Sequence, residues 1–86
     1  MYVIIVYDTD RKNCAQLHKF LKGYLHWNQR SVFEGTITEA QYRKVRLIID
    51  DIRAENSHIV FYSMENEKLL RREELGQGAG NTSNIL

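Results

Sequence analysis

Hydrophobic positions along the first quarter of the chain predict a strand followed by a helix. Residues 2–7 form an unbroken run of β-branched and aromatic side chains, which is typical of a central strand covered on both faces. Thr9 and Asp10 then offer side-chain oxygens that cap helices. Apolar residues follow at spacings of three, four and three and predict an amphipathic helix over residues 11–25. The members of this stripe are Cys14, Leu17, Leu21 and Tyr24.

The middle of the chain predicts a bent strand or tight hairpin and then a second helix. Residues 27–38 are rich in strand formers, and Gly35 within them indicates a kink or bulge. Thr38 and Gln41 have the spacing of a capping box. The helix that follows is predicted to run to about Glu55. Its apolar stripe is Tyr42, Val45, Ile49 and Ile52.

The last third of the chain predicts a further buried strand over residues 57–64 and a polar turn over 65–67. Residues 68–75 suit either a strand or a short helix. Residues 77–84 are rich in Gly, Ser and Asn and are expected to be mobile. The chain nevertheless ends in Ile85 and Leu86, and we expect these apolar side chains to dock, with a second protomer as one candidate.

The predicted order βαββαβ with a trailing element is typical of an α+β, ferredoxin-like arrangement, in which two helices pack on one face of an antiparallel sheet. The other face of such a sheet exposes apolar side chains unless a second sheet covers it. We therefore predict a sheet-to-sheet homodimer. Residues 1–76 are assigned to the domain, with the extra C-terminal strand at its end, and residues 77–86 to a tail.

Composition narrows the class of protein. A chain of 86 residues with 43% apolar content forms one marginally stable core, which also favours oligomerisation. No apolar run reaches the roughly 18 residues that span a bilayer, and the first residues lack a signal-peptide pattern. We expect a soluble, cytoplasmic protein without a membrane partner. The single Cys14 makes no internal disulfide and is expected to pack in the core.

Charge is nearly balanced overall but uneven along the chain. The formal net charge of +1 argues against a generic basic protein that coats nucleic acid. Residues 11–33 nevertheless carry five basic side chains and no acidic one. They form either a locally positive binding face or an ordinary solvated helix face. The five are Arg11, Lys12, Lys19, Lys22 and Arg30.

Asp8 is the strongest candidate for a metal-binding or catalytic residue. It lies just past the first strand, where open sheets commonly place functional residues, although it also suits a cap for the following helix, a role for which Asp10 is the more natural residue. Mg²⁺ often takes only one or two protein carboxylates and fills its other positions with water and phosphate oxygens. A two-fold axis would supply a second Asp8. A metal held there would activate water for phosphodiester cleavage.

Four other residues are candidates for nucleic-acid contact near the same strand end. Tyr7 and Phe33 suit base stacking, with core packing as the alternative reading. Ser31 suits a hydrogen bond to a phosphate or a backbone group beside Asp8, and Arg30 suits a phosphate contact or a surface salt bridge. The three histidines are too widely spaced to share a ligand set. Phosphate loops, nucleophile elbows and paired cysteines are missing from the sequence, so nucleophilic side-chain chemistry is unsupported.

The motifs resemble one family closely. The strand ending Tyr7-Asp8 is followed, after a helix-length interval, by the segment Gln29-Arg30-Ser31-Val32-Phe33-Glu34-Gly35. This pairing looks like the small CRISPR-associated endonuclease family of the spacer-adaptation complex, often called Cas-two. The ends Glu-Glu-Leu-Gly (73–76) and Asn-Ile-Leu (84–86) resemble family tails. Many relatives carry a basic residue before the Gln of the motif, where this chain has Trp27 and Asn28.

The resemblance implies a homodimer whose last strand crosses onto the partner's sheet, which would account for Ile85 and Leu86. It implies a scaffold that binds prespacer DNA and bridges the CRISPR-associated integrase. It also implies an endonuclease dependent on Mg²⁺ or Mn²⁺ that acts on RNA or DNA, with Asp8 holding the metal at the dimer interface. Arg11 and Lys12 resemble the positive charge that relatives place early in the first helix, and they are candidates for phosphate contact.

Two function classes therefore remain open at this point. One is a metal-dependent phosphodiesterase centred on Asp8, and the other is a non-catalytic dimer that binds duplex DNA beside the integrase. An RNA-recognition module of the same topology is disfavoured because its Lys/Arg-Gly-Phe strand motif is missing from the sequence. A small-molecule regulatory domain is disfavoured because such domains are usually tethered to an enzyme.

Overall fold

The computed structural model describes residues 1–65 and 70–76. The elements are β1 (Tyr2–Asp8), α1 (Arg11–Leu21), β2 (His26–Gln29), β3 (Val32–Thr36), α2 (Glu39–Ile52), β4 (His58–Met64) and β5 (Leu70–Leu75). The predicted 77–86 tail and most of the predicted 65–67 turn lie outside the described residues. No helix within the described ranges is long and apolar enough to cross a membrane.

The five strands form one antiparallel sheet in the order β2-β3-β1-β4-β5. The α+β class and the βαββαβ order with an added strand are therefore confirmed. Residues 70–75 form a strand rather than a helix, and they pair with β4 of the same chain. The crossing onto a partner's sheet that the family resemblance implied for the chain end, with Ile85 and Leu86, lies outside the described residues and stays a prediction.

The core lies between the two helices and one face of the sheet. Along β1, Val3, Ile5 and Tyr7 are buried beneath the helices, whereas Ile4 and Val6 are half-exposed on the other face. We call that other face the open face. The prediction that β1 is covered on both faces is therefore wrong for the single chain. Successive side chains of a strand point to opposite faces, and the helices cover only one of them.

Both helices begin at their predicted caps and end early. Asp10 accepts a hydrogen bond from the Asn13 backbone N–H over 2.8 Å and caps α1, while the capping box predicted for α2 is present. Helix α1 ends at Leu21 instead of residue 25 because a turn around Gly23 redirects the chain. Helix α2 ends at Ile52, three residues before the predicted end.

Strands β2 and β3 form the predicted tight hairpin. Its two-residue turn is Arg30-Ser31, and Arg30 has a φ of +44°, a left-handed conformation that suits two-residue hairpin turns. The irregularity predicted at Gly35 lies instead in β2, where the register shifts between Trp27 and Gln29. Gly35 serves packing, because a Cβ there would approach Leu25 Cδ2 to 3.2 Å.

A buried amide on α1 joins the two helices. Only 4% of Asn13 is exposed, and its Nδ2 donates to the carbonyl oxygen of Ile52 over 3.0 Å. Its Oδ1 accepts from the Ala54 N–H over 2.8 Å and from the Thr9 hydroxyl over 3.0 Å. The apolar stripe did not predict this residue, because Asn13 occupies the inward position that the pattern had assigned to Cys14, which is half-buried.

We expect Asn13→Ala to lower the free energy of unfolding by about 2 kcal/mol. The substitution removes the partners of two backbone groups at the end of α2, and unsatisfied buried groups cost about 1–3 kcal/mol each when water cannot reach them. Urea unfolding followed by circular dichroism measures the change. Lys19→Ala, an exposed change on the same helix, is the control and should stay within about 0.5 kcal/mol. Equal stability of both variants would contradict the role given to Asn13.

Candidate metal and nucleic-acid site

Asp8 is the last residue of β1 and is exposed. Its position in the strand places it on the open face with Ile4 and Val6. The alternative reading, that Asp8 caps α1, is wrong, because Asp10 is the cap. Within residues 1–65 and 70–76 the Asp8 carboxylate has no hydrogen bond or ion pair. It is therefore available to a ligand.

His58 lies directly opposite Asp8 in the β1–β4 register. Its Nε2 is 2.7 Å from Glu74 Oε2. The hydrogen bond from His58 and then that from Arg72 lower the pKa of Glu74. The Glu74 carboxylate therefore accepts, and Nε2 carries the proton. No chemistry was predicted for the histidines. The spacing of residues along the chain does not predict the His58–Glu74 pair, because the two residues are 16 positions apart and meet only through strand register.

Tyr7 and Phe33 lie on the opposite face from Asp8. They are 4% and 0% exposed, and their ring centroids are 6.3 Å apart in a stacked arrangement. Neither ring is accessible to a base in this structure. Both are core residues, as the alternative interpretation predicted. Burial raises the pKa of Tyr7 to about 12, with a smaller contribution from Cys14.

The β2–β3 turn borders a shallow depression of about 470 Å³ beside the end of β1. The Ser31 carbonyl oxygen accepts from the Tyr7 N–H over 3.1 Å. This is a backbone contact next to Asp8, whereas the Ser31 hydroxyl lies 3.8 Å from Cys14 Sγ. Arg30 is exposed at the turn. The depression is lined by Tyr7, Cys14, Ala15, His18, Arg30 and Ser31.

The candidate basic residues gather at the same end of the sheet as Asp8. Arg11 and Lys12 are exposed in the first turn of α1, which begins three residues after Asp8. Arg30 reaches this end because β3 runs antiparallel to β1, with Val32 opposite Val6. The fold thus brings one free carboxylate and three basic side chains to one end of the sheet.

The donor set is too small to hold a metal within one chain. No group of three or more His, Cys, Asp or Glu side chains with ligand geometry occurs in the described part of the chain. A single free carboxylate fits Mg²⁺ only when water, phosphate oxygens or a second protomer complete the shell. The chemistry of the donors therefore suits a weakly held, hard cation.

The fold and the site define a class of protein. It is an α+β domain whose sheet has one open face and a free carboxylate at the end of its central strand. A family model described as CRISPR associated protein Cas2 matches residues 1–72. A relative from Methanosarcina acetivorans, called CRISPR-associated endoribonuclease Cas2, is 41% identical over 87 aligned positions and covers 100% of both chains. One from Thermotoga maritima with the same description is 38% identical and covers 93% of each.

Solved structures agree with the sequence relatives. A crystal structure of a Cas2 protein superposes with a TM-score of 0.74 at 31% identity, covering 100% of this chain and 98% of the other. The crystal structure of Streptococcus pyogenes Cas2 at pH 6.5 gives a TM-score of 0.69 at 28% identity, covering 74% and 86%. The chain belongs to the Cas2 family of CRISPR-associated proteins, so the resemblance seen in the sequence is confirmed.

The raised pKa of Tyr7 predicts a loss of stability at alkaline pH. The unfolded chain releases this proton near pH 10 and the folded chain near 12, so the free energy of unfolding falls as pH rises through that window. Tyr7→Phe should show a shallower fall. Urea unfolding at pH 8, 10 and 11 measures both slopes. Identical slopes for the two proteins would contradict the burial of the phenol.

Proposed function

We propose that the chain is a metal-dependent endonuclease acting on RNA or DNA within a CRISPR system, working as a cytoplasmic homodimer. The observation that carries the proposal is the free, exposed carboxylate of Asp8 at the end of the central strand. The name endoribonuclease given to its relatives supports this activity.

Asp8 from each of two protomers would hold Mg²⁺ or Mn²⁺. The bound cation would supply a water of lowered pKa and neutralise charge on the phosphodiester. Arg30, Arg11 and Lys12 bind flanking phosphates, and the Ser31 carbonyl oxygen, by accepting from Tyr7, anchors the turn that carries Arg30. Tyr7 and Phe33 contribute through packing, since they support β1 from beneath.

Dimerisation through the open face brings the two carboxylates together. The half-exposed centre of that face is apolar, with Ile4 and Val6 on β1 flanked by Val32 on β3 and Tyr62 on β4. Burying it against a second sheet removes this surface from water. Asp8 lies on the same face at the edge of this apolar patch. A two-fold axis near the end of β1 therefore places one Asp8 beside the other.

The second candidate is a non-catalytic dimer that binds prespacer DNA and bridges the CRISPR-associated integrase. The single free carboxylate in a chain whose described part has no three-ligand cluster favours this role. The exposed basic residues Arg11, Lys12 and Arg30 serve DNA-backbone binding equally well. The two functions share the dimer and differ in their need for Asp8.

We expect Asp8→Asn to reduce Mg²⁺- or Mn²⁺-dependent cleavage by about 100-fold or more, because metal assistance is worth several kcal/mol of the barrier. Cleavage of labelled single-stranded RNA and duplex DNA, with and without chelator, measures this. Asp51→Asn, an exposed change on α2, is the matched control. Cleavage that persists in chelator would exclude the metal mechanism. Cleavage by neither protein, with DNA binding intact, would establish the scaffold role.

We expect Ile4→Lys to shift the protein from dimer to monomer, because it places a charge in the centre of the open face at a steep desolvation cost. Light scattering coupled to size exclusion measures the mass. Leu47→Lys, on the helix side where Leu47 is 73% exposed, should leave the dimer intact. A dimer that survives Ile4→Lys and dissociates with Leu47→Lys would place the interface on the helices instead.

A further inference from the structure

The only tryptophan of the chain is exposed to solvent but fixed in orientation. Trp27 lies on β2, an edge strand of the sheet, and 53% of its surface is exposed. Its indole Nε1 donates to the Arg30 carbonyl oxygen over 2.8 Å. The His18 imidazole meets it nearly at right angles, with ring centroids 5.2 Å apart. The ring is therefore fixed in orientation without being buried, so little of its conformational freedom remains to be lost on binding.

The hydrogen bond from Trp27 also holds the backbone of the neighbouring residue Arg30. It spans from β2 to the β2–β3 turn, where Arg30 has its left-handed φ of +44°, and so ties the indole to the backbone that carries the Arg30 side chain. Within residues 1–65 and 70–76, Arg30 has no ion pair. An exposed aromatic ring is thus in direct contact with the backbone of a residue whose exposed guanidinium has no ion pair in the described ranges.

The surroundings of this pair are basic. His18 and Ala15 line the depression beside Arg30, and Arg11 and Lys22 extend the same helix stripe at spacings of four residues. Glu34 is the nearest acidic residue of the hairpin along the chain. It lies on the other face of the sheet, where its carboxylate accepts from Asn28 and Tyr2. The face that carries Trp27 therefore presents positive charge alone from these two elements.

We propose that Trp27 and Arg30 form a binding site for single-stranded nucleic acid, in which one base stacks on the indole and an adjoining phosphate binds the guanidinium. Any base offers a π-face to such a platform, and a basic groove follows the backbone. A duplex keeps its bases stacked on each other and has none free for the indole. The inference rests on the proposed function only in that the chain handles nucleic acid, and it requires neither a metal nor Asp8.

The first test uses the tryptophan as its own probe. Titration of the wild-type protein with a 12-nucleotide oligo-dT or oligo-U at low salt should quench the indole emission and reach saturation. A 12-base-pair duplex should bind without comparable quenching. If the single strands bind with no change in emission, or the duplex quenches equally, the stacking proposal is excluded.

The second test uses variants and the anisotropy of a 5′-labelled oligo-dT. Trp27→Ala should weaken binding by about 5- to 150-fold, the range expected when one base loses its aromatic stacking partner, and Trp27→Phe should retain most of the affinity. Arg30→Ala should make the slope of log K against log salt shallower by about 0.7. Leu47→Ala, another exposed apolar side chain, is the control. Affinity of Trp27→Ala within twofold of wild type would overturn the proposal.

The same variants separate this inference from the proposed function. Asp8→Asn should bind oligo-dT like the wild type even when its cleavage is lost. If the wild-type protein shows metal-dependent cleavage and Trp27→Ala binds single strands normally, the Trp27 site is overturned and the endonuclease is not. Normal stacking at Trp27 in a protein that cleaves nothing would leave the site standing and remove the endonuclease. Thermal unfolding of each variant confirms that it is folded.

Discussion

The carboxamide of Asn13 joins the two halves of the βαββαβ chain at one point. It accepts from Thr9, which follows β1, and it binds Ile52 and Ala54 at the end of α2. The chain then continues from Ala54 into β4. One side chain therefore fixes both connections next to Asp8, and a buried amide with all these partners is specific in a way that apolar contacts are not.

The two faces of β1 carry different kinds of residues: core residues on the helix side and the candidate functional residue on the open face. Tyr7 packs on Phe33 beneath the helices, and the next residue, Asp8, lies on the face without helices. A strand's two-residue period makes this separation unavoidable. The same rule divides the β2–β3 hairpin, where Trp27 lies on the helix side and Glu34 lies on the open side. The fold thus offers two candidate surfaces at one end, one acidic for a cation and one basic and aromatic for a strand of nucleic acid.

The membership of the Cas2 family accounts for the fold but leaves the division of labour between catalysis and scaffolding to experiment. Asp8 is free, yet the described part of one chain provides no three-ligand cluster. A cation there needs a second protomer or the substrate's own phosphates. Under the proposed function, cleavage and assembly would therefore use the same dimer interface and the same residues.

Periodicity and capping chemistry by themselves determined the α+β class, the order of the first six elements and the Thr38 capping box, because these features depend on residues close in sequence. They left open a bent strand or a tight hairpin over residues 27–38, and a strand or a short helix over residues 68–75. Asp8 was predicted as a candidate functional residue from its position at the end of the first strand. Tertiary structure alone decided that Asn13 is buried, that Tyr7 and Phe33 are core, and that His58 meets Glu74. It also decided that Trp27 stays exposed beside Arg30. Those outcomes depend on contacts between residues far apart in the sequence: the pairing of distant strands, the packing of the two helices against each other, and the face of the sheet that the helices cover.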